Sequence, residues 1–178
     1  MHLFKDQIIV RETEQKDIAL LKILYRRAFV EENLFPLVIE LLDDKRNTLN
    51  LSAVYDSDIL GHIAFTQCHA SPENITLALL GPMAVLPKYQ RNGIGSTMIK
   101  KGFNMLKKKR VNKILVLGDP NYYSRFGFTE EINIQPSYSI PKEWKPAWQS
   151  VMITDCFTPP SGKLIVPKAW QRQELWSD

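Results

Sequence analysis

The sequence predicts one mixed α/β domain, because segments with the apolar pattern of strands alternate with segments that have the amphipathic period of helices. Its 178 residues suit one domain spanning 1–178 better than two. The stretch 96–110 has a helical period, and the largely aliphatic stretch 113–117 after it is typical of a strand buried on both faces. We therefore expect a core over 8–128 and further strands over 129–178.

The first half of the chain follows the same alternation. Asp17 is placed to cap a helix that runs to about Phe29, and Pro36 suits the first turn of a second helix that ends near Leu42. The triplet Asp56-Ser57-Asp58 is typical of a tight hairpin connection. Strands are predicted at 8–11, 51–55, 59–68 and 75–86, with a loop at 71–74.

The second half is predicted in less detail. The helix 96–110 and the strand 113–117 are followed by a short helix or turn at 122–126. Beyond it, apolar segments alternate with prolines, which indicates strands near 128–134 and 151–157.

The composition limits the classes of function. Apolar residues make up 44% of the chain, which is ordinary for a globular protein. Cys68 and Cys156 form no CxxC pair, so we expect neither a disulfide framework nor a zinc site, and a reducing compartment. The N-terminus lacks the apolar core of a secretory signal, and no uncharged apolar run approaches the ~20 residues of a membrane span. We therefore expect a cytoplasmic protein without a membrane partner.

Basic residues contribute to a net charge of +4 and cluster in the predicted helix 96–110. The lysine-rich face is either simply solvated or attracts a polyanionic cofactor or nucleic acid. Because no aromatic platform is interleaved with the lysines, a nucleic-acid partner is not expected. The basic face holds Lys100, Lys101, Asn104, Lys107 and Lys108, and the apolar face holds Ile99, Phe103 and Leu106.

A glycine turn, QRNGIG at 90–95, lies between the fourth strand and the long helix. Gly93 and Gly95 permit positive φ angles and carry no Cβ that would keep a ligand from the backbone. The helix that follows directs unpaired N–H groups and the positive end of its dipole at the turn. The pattern predicts an anion site, although by itself it also suits a simple turn. A dinucleotide GxGxxG pattern is excluded, because Met98 stands where the third glycine is required.

Two further features flank this turn. Gly81-Pro82 interrupts the apolar fourth strand, and because proline has no N–H for a ladder bond, the strand should bulge or part from its neighbour there. The backbone of Met83–Val85 is then available to an extended ligand, unless this is simply an edge strand. Tyr123 follows the buried strand closely, and its phenol is either a proton donor at the site or a packed side chain.

In this order and spacing, the features resemble the acyl-CoA core of the GNAT superfamily of N-acetyltransferases. The motifs LLGPMAVLPKYQRNGIGS and VLGDPNYYSRFGF are similar to a bacterial subgroup of predicted acetyltransferases, and the segments LSAVY and ILGHIAF resemble the family's second and third strands. The resemblance implies a GNAT-like acyl-CoA N-acyltransferase fold. Such a fold has a mixed, mostly antiparallel central sheet with a splay between the fourth and fifth strands, and helices on both faces.

The resemblance also implies the cofactor and its site. Acetyl-CoA would be the acyl donor, an amine of a small molecule or protein would attack its thioester directly, and no metal would take part. The backbone of Met83, Ala84 and Val85 would bond the pantetheine arm, and one N–H of the fourth strand would polarise the thioester carbonyl. Tyr123 would protonate the departing thiolate, and Asn121 would lie on the pantetheine side. The pyrophosphate would be held by Gln90, Arg91, Asn92, Gly93, Ile94, Gly95 and Ser96.

The general base stays open. An amine with a pKa near 10.4 is almost fully protonated at pH 7 and must lose a proton before it attacks. The fourth strand, ITLALLGPMAV, contains no carboxylate for this role. The alternatives are ordered water and four side chains, Glu73, His62, His69 and Asp119.

The acceptor side stays open as well. The segment 29–35 resembles the family's acceptor-side loop, in which Glu31 and Glu32 either attract a cationic amine or are simply solvated. Four tryptophans either form an aromatic acceptor pocket or complete the core or a subunit contact, and the resemblance is compatible with a homodimer. Because the fourth strand lacks a carboxylate, a non-catalytic acyl-CoA-binding sensor on the same fold is the alternative to an enzyme. The tryptophans are Trp144, Trp148, Trp170 and Trp176.

Overall fold

The computed structural model describes residues 7–73, 75–155 and 160–177. Cys156, Asn74 and the end of the strand predicted at 151–157 therefore lie outside the described residues. The described chain forms two compact units, the first from 7–65 and 82–105, and the second from 66–81 and 106–177 with the same gaps. The organisation of 1–178 as one domain stays a prediction.

The first unit combines antiparallel strands with three helices. Strand β1 pairs with β2 from Ile9 opposite Val54 to Glu12 opposite Leu51. Its core is built from buried residues of helix α1, namely Leu21, Leu24 and Tyr25, with apolar side chains of the neighbouring elements. The strands lie in the order β1-β2-β3-β4 in the sheet. The elements are β1 Ile9–Glu12, α1 Ile18–Ala28, α2 Phe35–Asp43, β2 Thr48–Tyr55, β3 Asp58–Ser71, β4 Ile75–Val85 and α3 Ile94–Lys108.

Helix α1 begins where the sequence predicts, but Asp17 does not cap it with its side chain. The carboxylate instead accepts two hydrogen bonds from the Arg11 guanidinium, at 2.7 and 2.9 Å, and one from the Glu14 N–H at 2.8 Å. Burial acts to raise the pKa of Asp17, but these hydrogen bonds outweigh it and lower the pKa. The reason for the difference is that a short 3-10 helix, Gln15–Asp17, precedes α1 and uses this carboxylate in its own capping box.

Helix α3 begins two residues earlier than predicted, at Ile94, and carries the two faces expected from its sequence. Ile99 and Leu106 are buried at 0% and 3% exposure, whereas the lysine face is exposed. The basic face is therefore solvated in the ligand-free protein. In the described part of the chain, no helix has both the length and the apolar character needed to span a membrane.

The second unit is a sheet with two short parallel pairings. Within it β4 pairs in parallel with β5, β5 pairs antiparallel with β8, and β7 pairs in parallel with β9. The strand order is β3-β4-β5-β8-β6, with β9 next to β3 and β7. The predicted mixed, mostly antiparallel sheet is thus confirmed. The elements are β5 Lys113–Leu117, α4 Pro120–Tyr123, β6 Thr129–Glu130, β7 Ile134–Gln135, β8 Trp148–Met152 and β9 Gly162–Ile165.

The strand predicted at 128–134 is wrong, since the structure forms two short strands there with different partners. β6 pairs with β8, and β7 pairs with β9. The cause is Glu131, whose carboxylate accepts hydrogen bonds from the N–H groups of Asn133 at 2.6 Å and Ile134 at 3.0 Å and so turns the chain. The other carboxylate oxygen of Glu131 lies 2.6 Å from Lys113 Nζ in a buried ion pair.

Candidate active site

Strand β4 is interrupted at Gly81-Pro82, as its sequence predicts. Its parallel ladder with β5 runs from Leu77 opposite Lys113 to Leu80 opposite Val116, while β4 itself continues to Val85. Gly81 has a φ of 144°, outside the range of regular strands. The ladder therefore stops at the glycine, in agreement with the splay expected between these strands.

The segment Met83–Val85 continues the strand with alternating exposure. Ala84 is buried, whereas Met83 and Val85 are half-buried. The Gln90 side-chain amide donates a hydrogen bond of 3.1 Å to the Val85 carbonyl. Gln90 thus ties the glycine turn to the strand segment, the two parts that the family resemblance links with the pyrophosphate and the pantetheine arm.

The glycine turn is shaped by two residues in the left-handed region. Arg91 has a φ of 62° and Gly93 a φ of 81°, and Ile94 then begins α3. A left-handed conformation is strained for arginine and free of that strain for glycine. The Asn92 side-chain amide holds the turn by donating to the carbonyls of Tyr89, at 3.3 Å, and Gln90, at 2.9 Å.

The first turn of α3 is held to the same loop. Thr97 donates to the Gly93 carbonyl both from its backbone N–H, at 3.0 Å, and from its hydroxyl, at 3.1 Å. The N–H groups of the residues before it belong to the first turn of a helix and have no partner in the helix itself. Unpaired N–H groups and the positive end of the dipole at a helix start favour the binding of an anion.

Tyr123 ends the short helix α4 in the second unit and is 9% exposed. Its ring packs edge-on against Tyr122, with centroids 5.0 Å apart, and against Phe128 at 5.5 Å. Burial raises the pKa of its phenol, and the neighbouring Tyr122 adds to the shift. Tyr123 is therefore protonated throughout the physiological pH range and has a proton to donate.

Gly118 is a positioning residue that the sequence reasoning missed. A Cβ at this position would lie 2.4 Å from Cε2 of Tyr123, so only glycine leaves room for the tyrosine ring. The backbone of Gly118 is held on both sides, because its N–H donates to Ala147 O at 2.9 Å and its carbonyl accepts from Gln149 Nε2 at 2.9 Å. In the sequence, the available signal for Gly118 is its place between the buried strand 113–117 and Pro120.

Asn121 lies next to this tyrosine in α4 and is exposed. Its backbone N–H donates to the Asp119 side chain at 2.9 Å, so this N–H is already used within α4. Asp119, a candidate base, thereby acts as the N-cap of α4.

The two histidine candidates both lie in β3. His62 is fully buried, and burial lowers its pKa to about 3, although the charge of Asp17 acts to raise it. A group with this pKa does not accept a proton from an ammonium group near neutral pH. His69 lies opposite Ile165, and its Nδ1 is buried without a hydrogen-bond partner among the described residues. Glu73 is exposed.

The segment 29–35 lines a pocket of about 590 Å³ within the first unit. Phe29 is one of the lining residues and stacks on Tyr25 with ring centroids 5.8 Å apart. Side chains of both signs of charge line the pocket, namely Glu31, Glu32, Lys22 and Arg26. Among the described residues, no cluster of histidine, cysteine, aspartate and glutamate is suited to hold a metal ion.

Three of the four tryptophans are core residues of the second unit. Trp148, Trp170 and Trp176 are buried, and Trp176 packs against the other two at centroid distances of 6.1 and 6.2 Å. Each indole N–H has a partner, namely Ile134 O, Thr66 Oγ1 and Trp170 O, respectively. Because their indole N–H groups are hydrogen-bonded within the protein, these tryptophans are better interpreted as core residues than as an aromatic acceptor pocket. Trp144 is half-buried.

A family model and two solved structures that are similar to this chain are of acetyltransferases. A family model described as an acetyltransferase (GNAT) domain matches residues 48–130. A crystal structure of the GNAT family N-acetyltransferase YhbS from Escherichia coli, in complex with CoA, has a TM-score of 0.81 and 25% identity and covers 93% of each chain. A GNAT family acetyltransferase from Brucella melitensis, in complex with acetyl-CoA, has a TM-score of 0.73 and 28% identity, over 96% of this chain and all of the other.

The sequence relatives agree with the structural ones. The protein YhbS from Escherichia coli K12, named an uncharacterized N-acetyltransferase, is 33% identical over 106 residues, which are 59% of this chain and 64% of the relative. YjhQ, also from Escherichia coli K12 and named an uncharacterized N-acetyltransferase, is 32% identical over 149 residues. That match covers 80% of this chain and 82% of the relative. Since the similarity extends over most of both chains, this protein belongs to the GNAT family of acetyltransferases.

Proposed function

We propose that the protein transfers the acetyl group of acetyl-CoA to a primary amine of a small molecule or protein. The observation that carries this proposal is the glycine turn, where left-handed Arg91 and Gly93 precede the first turn of α3 and create an anion cradle. Relatives of the same fold bind CoA and acetyl-CoA, which supports the same donor here.

The donor would be held mainly by backbone groups. The turn and first helical residues, from Gln90 to Ser96, would bind the pyrophosphate through N–H groups. Met83, Ala84 and Val85 would bond the pantetheine arm as an added strand does. The Asn121 side chain would contact the pantetheine side. Because backbone donors are positioned before the ligand arrives, they cost little reorganisation on binding.

The chemistry would be a direct attack. The amine nitrogen forms a bond to the thioester carbonyl carbon, and the bond from that carbon to sulfur breaks. Tyr123 supplies the proton that the departing thiolate takes up, and its phenolate then regains a proton from solvent. Water or a side chain removes the proton that the attacking amine loses. Since a thiolate is a weaker base than a phenolate of raised pKa, Tyr123 would first act as a hydrogen-bond donor to the developing charge.

The acceptor pocket narrows the class of amine. Glu31 and Glu32 would attract the ammonium group of an acceptor, and the aromatic face of Phe29 would add a cation–π contact. Lys22 and Arg26 in the same pocket would attract an anion. We therefore propose an acceptor that carries both an amine and an anionic group. Ordered water is proposed as the base, with Glu73 and His69 as the alternatives, since His62 and Asp119 make other contacts.

The experiment is a titration of acetyl-CoA by calorimetry, followed by a screen of amines with and without carboxylates for release of free thiol. Micromolar binding and turnover with at least one amine are expected. Absence of any heat or thermal shift with acetyl-CoA or CoA would refute the proposed donor. A protein that binds acetyl-CoA but turns over no amine would instead be a sensor on the same fold.

Tyr123→Phe provides the matched variant for the chemical step. Removal of one hydroxyl is expected to lower kcat by about 100-fold or more, the usual contribution of a general acid, with the dissociation constant of acetyl-CoA unchanged within about twofold. Tyr122→Phe is the control, because it removes the same atom from the neighbouring half-buried ring. Equal kcat for Tyr123→Phe and the wild type would assign the proton to another donor.

A further inference from the structure

A buried pair of polar side chains lies beneath strand β4 in the first unit. The hydroxyl of Tyr25 and Nδ1 of His62 are 2.8 Å apart, and the two residues are 1% and 0% exposed. Their rings meet edge-on at 5.7 Å, and Phe29 stacks on the outer side of Tyr25. An apolar pair of the same shape would fill this space without a desolvation cost, so the polar atoms call for an explanation.

The third member of the group is the Pro82 carbonyl. The Tyr25 hydroxyl lies 3.4 Å from this oxygen, directly after the interruption of β4. A carbonyl oxygen accepts only, so Tyr25 is the donor in this bond. This is the longer of the two contacts, at 3.4 Å against 2.8 Å to His62. In the His62 tautomer with a protonated Nδ1, His62 donates to Tyr25 and the hydroxyl proton is directed at Pro82.

The remaining ring nitrogen of His62 supports this assignment. Nε2 is buried and has no hydrogen-bond partner among the described residues. With Nδ1 protonated, Nε2 carries a lone pair instead of an N–H, and buried unpaired acceptors are better tolerated than buried unpaired N–H groups. The hydrogen bonds therefore run in one direction. His62 donates to the Tyr25 hydroxyl, and Tyr25 donates to the Pro82 carbonyl.

Neither side chain titrates near neutral pH. Burial lowers the pKa of His62 to about 3 and raises that of Tyr25 well above 10.0. Both side chains therefore stay neutral over the physiological pH range, and the direction of their hydrogen bonds does not change. A neutral pair of this kind fixes geometry and does not take up the proton of the acceptor amine.

The consequence follows from the planarity of the peptide group. The Pro82 carbonyl and the Met83 N–H belong to one planar peptide unit, and in the trans form they point in opposite directions. A hydrogen bond to the carbonyl therefore fixes the direction of the N–H, and it polarises the unit so that the N–H becomes a stronger donor. The cooperative strengthening is about 10–30% per bond.

We propose that Tyr25 and His62 are positioning residues that orient and strengthen the Met83 N–H as a donor to the thioester carbonyl of the acyl group. This inference rests on the proposed function, since it assigns a task to one backbone donor of the acetyl-CoA site. It adds two side chains that act on this donor through a peptide bond. Removing the Tyr25 hydroxyl should weaken polarisation of the carbonyl and leave the anchoring of the rest of the cofactor intact.

The test is isotope-edited infrared spectroscopy of acetyl-CoA labelled with ¹³C at the thioester carbonyl. Bound to the wild type, the carbonyl stretch should lie below its value in water. In Tyr25→Phe it should move back towards that value, with acetyl-CoA affinity within about threefold of wild type and kcat about tenfold lower. Tyr55→Phe, which removes a hydroxyl from a half-buried tyrosine of β2, should leave the stretch in place. An unchanged stretch in Tyr25→Phe would overturn the inference.

A second measurement needs neither a variant nor a ligand. Nitrogen-15 NMR of the wild type should show His62 neutral from pH 5 to 9 with the proton on Nδ1. A proton on Nε2 would mean that Tyr25 donates to His62 instead of Pro82, and the inference would fail. If acetyl-CoA did not bind the wild type, the proposed function would fall, whereas the NMR result would still decide the direction of the hydrogen bonds.

Discussion

The turn at 90–97 and the C-terminal segment at 129–177 are organised by contacts of different range. In the turn, the hydrogen bonds from Gln90, Asn92 and Thr97 reach partners no more than five positions away. In the C-terminal segment, the Trp170 indole donates to Thr66, 104 positions earlier in the chain. The turn is thus built by neighbours in sequence, and the segment by distant ones.

The turn and the C-terminal segment also differ in the interactions that stabilise them. The turn depends on backbone conformation at Arg91 and Gly93 and on the amides of two side chains. The C-terminal segment depends on burial of large rings and on the buried ion pair between Lys113 and Glu131. Substitutions in the segment should therefore reduce stability strongly, whereas substitutions in the turn should reduce ligand affinity at a small cost in stability.

The largest expected effect is at the centre of the tryptophan cluster. Trp176→Ala removes a side chain that is 2% exposed and packs against Trp148, Trp170 and Tyr138. We expect a loss of about 4 kcal/mol in the free energy of unfolding, because a large cavity replaces the ring. Urea denaturation measures it. Trp144→Ala, at a half-buried position, should cost about 1 kcal/mol, and equal losses for both would contradict the division between core and surface tryptophans.

The next effect concerns Glu131. Glu131→Gln leaves Lys113 buried without its counter-charge and should cost about 3 kcal/mol at pH 7. Burial acts to raise the pKa of Glu131, but hydrogen bonds from Lys113, Ser150, Asn133 and Ile134 outweigh it, and the pKa is lowered from 4.5.

The pH dependence of this effect has a definite sign. Because the folded pKa of Glu131 is below the unfolded one, its stabilisation is complete above pH 4.5 and is lost as the pH falls through the folded value. The stability difference between wild type and Glu131→Gln should therefore shrink in urea titrations below about pH 4. A difference that stays constant from pH 7 to pH 3 would mean that the carboxylate contributes no charge-dependent stability.

The smallest effect on stability is expected in the turn. Gly93→Ala places a Cβ on a residue with φ of 81° and should cost about 1 kcal/mol in stability. Because the strain disturbs the N–H groups of the cradle, the affinity for acetyl-CoA should fall about tenfold, or about 1.4 kcal/mol. Gly127→Ala is the control, since it imposes the same strain at φ of 85° outside the turn. Equal affinity losses in both variants would show that the turn has no special role.

Local patterns allowed several elements of both units to be predicted. The glycine turn, the helix after it and the lysine face of that helix occur at the predicted places, since all follow from residues a few positions apart. The strand 113–117 agrees with β5 residue for residue, because its aliphatic run is bounded by polar residues. Gly81-Pro82 predicts the end of the ladder, because proline has no N–H to contribute.

Other features could not be predicted, because their partners are far away in sequence. The turn at Glu131 depends on a carboxylate whose cation is Lys113, and the sequence between them does not indicate the pairing. The role of His62 depends on Tyr25, which precedes it by 37 positions, and on Pro82. Gly118 appears as an ordinary turn glycine until the ring of Tyr123 is seen against it.

By itself, the sequence determined the local elements of the donor site, because a left-handed glycine at 93, a helix start and a proline in a strand act through the backbone of their immediate neighbours. Gly95, also expected to permit a positive φ, lies within α3 instead. Only the tertiary structure decided which polar groups are buried and paired. It shows that His62, a candidate base, is the hydrogen-bond partner of Tyr25. It also shows that three tryptophans, candidates for an acceptor pocket, are buried in the core. The physical reason is that burial and pKa depend on surroundings assembled from the whole chain, whereas backbone conformation is largely a property of a few consecutive residues.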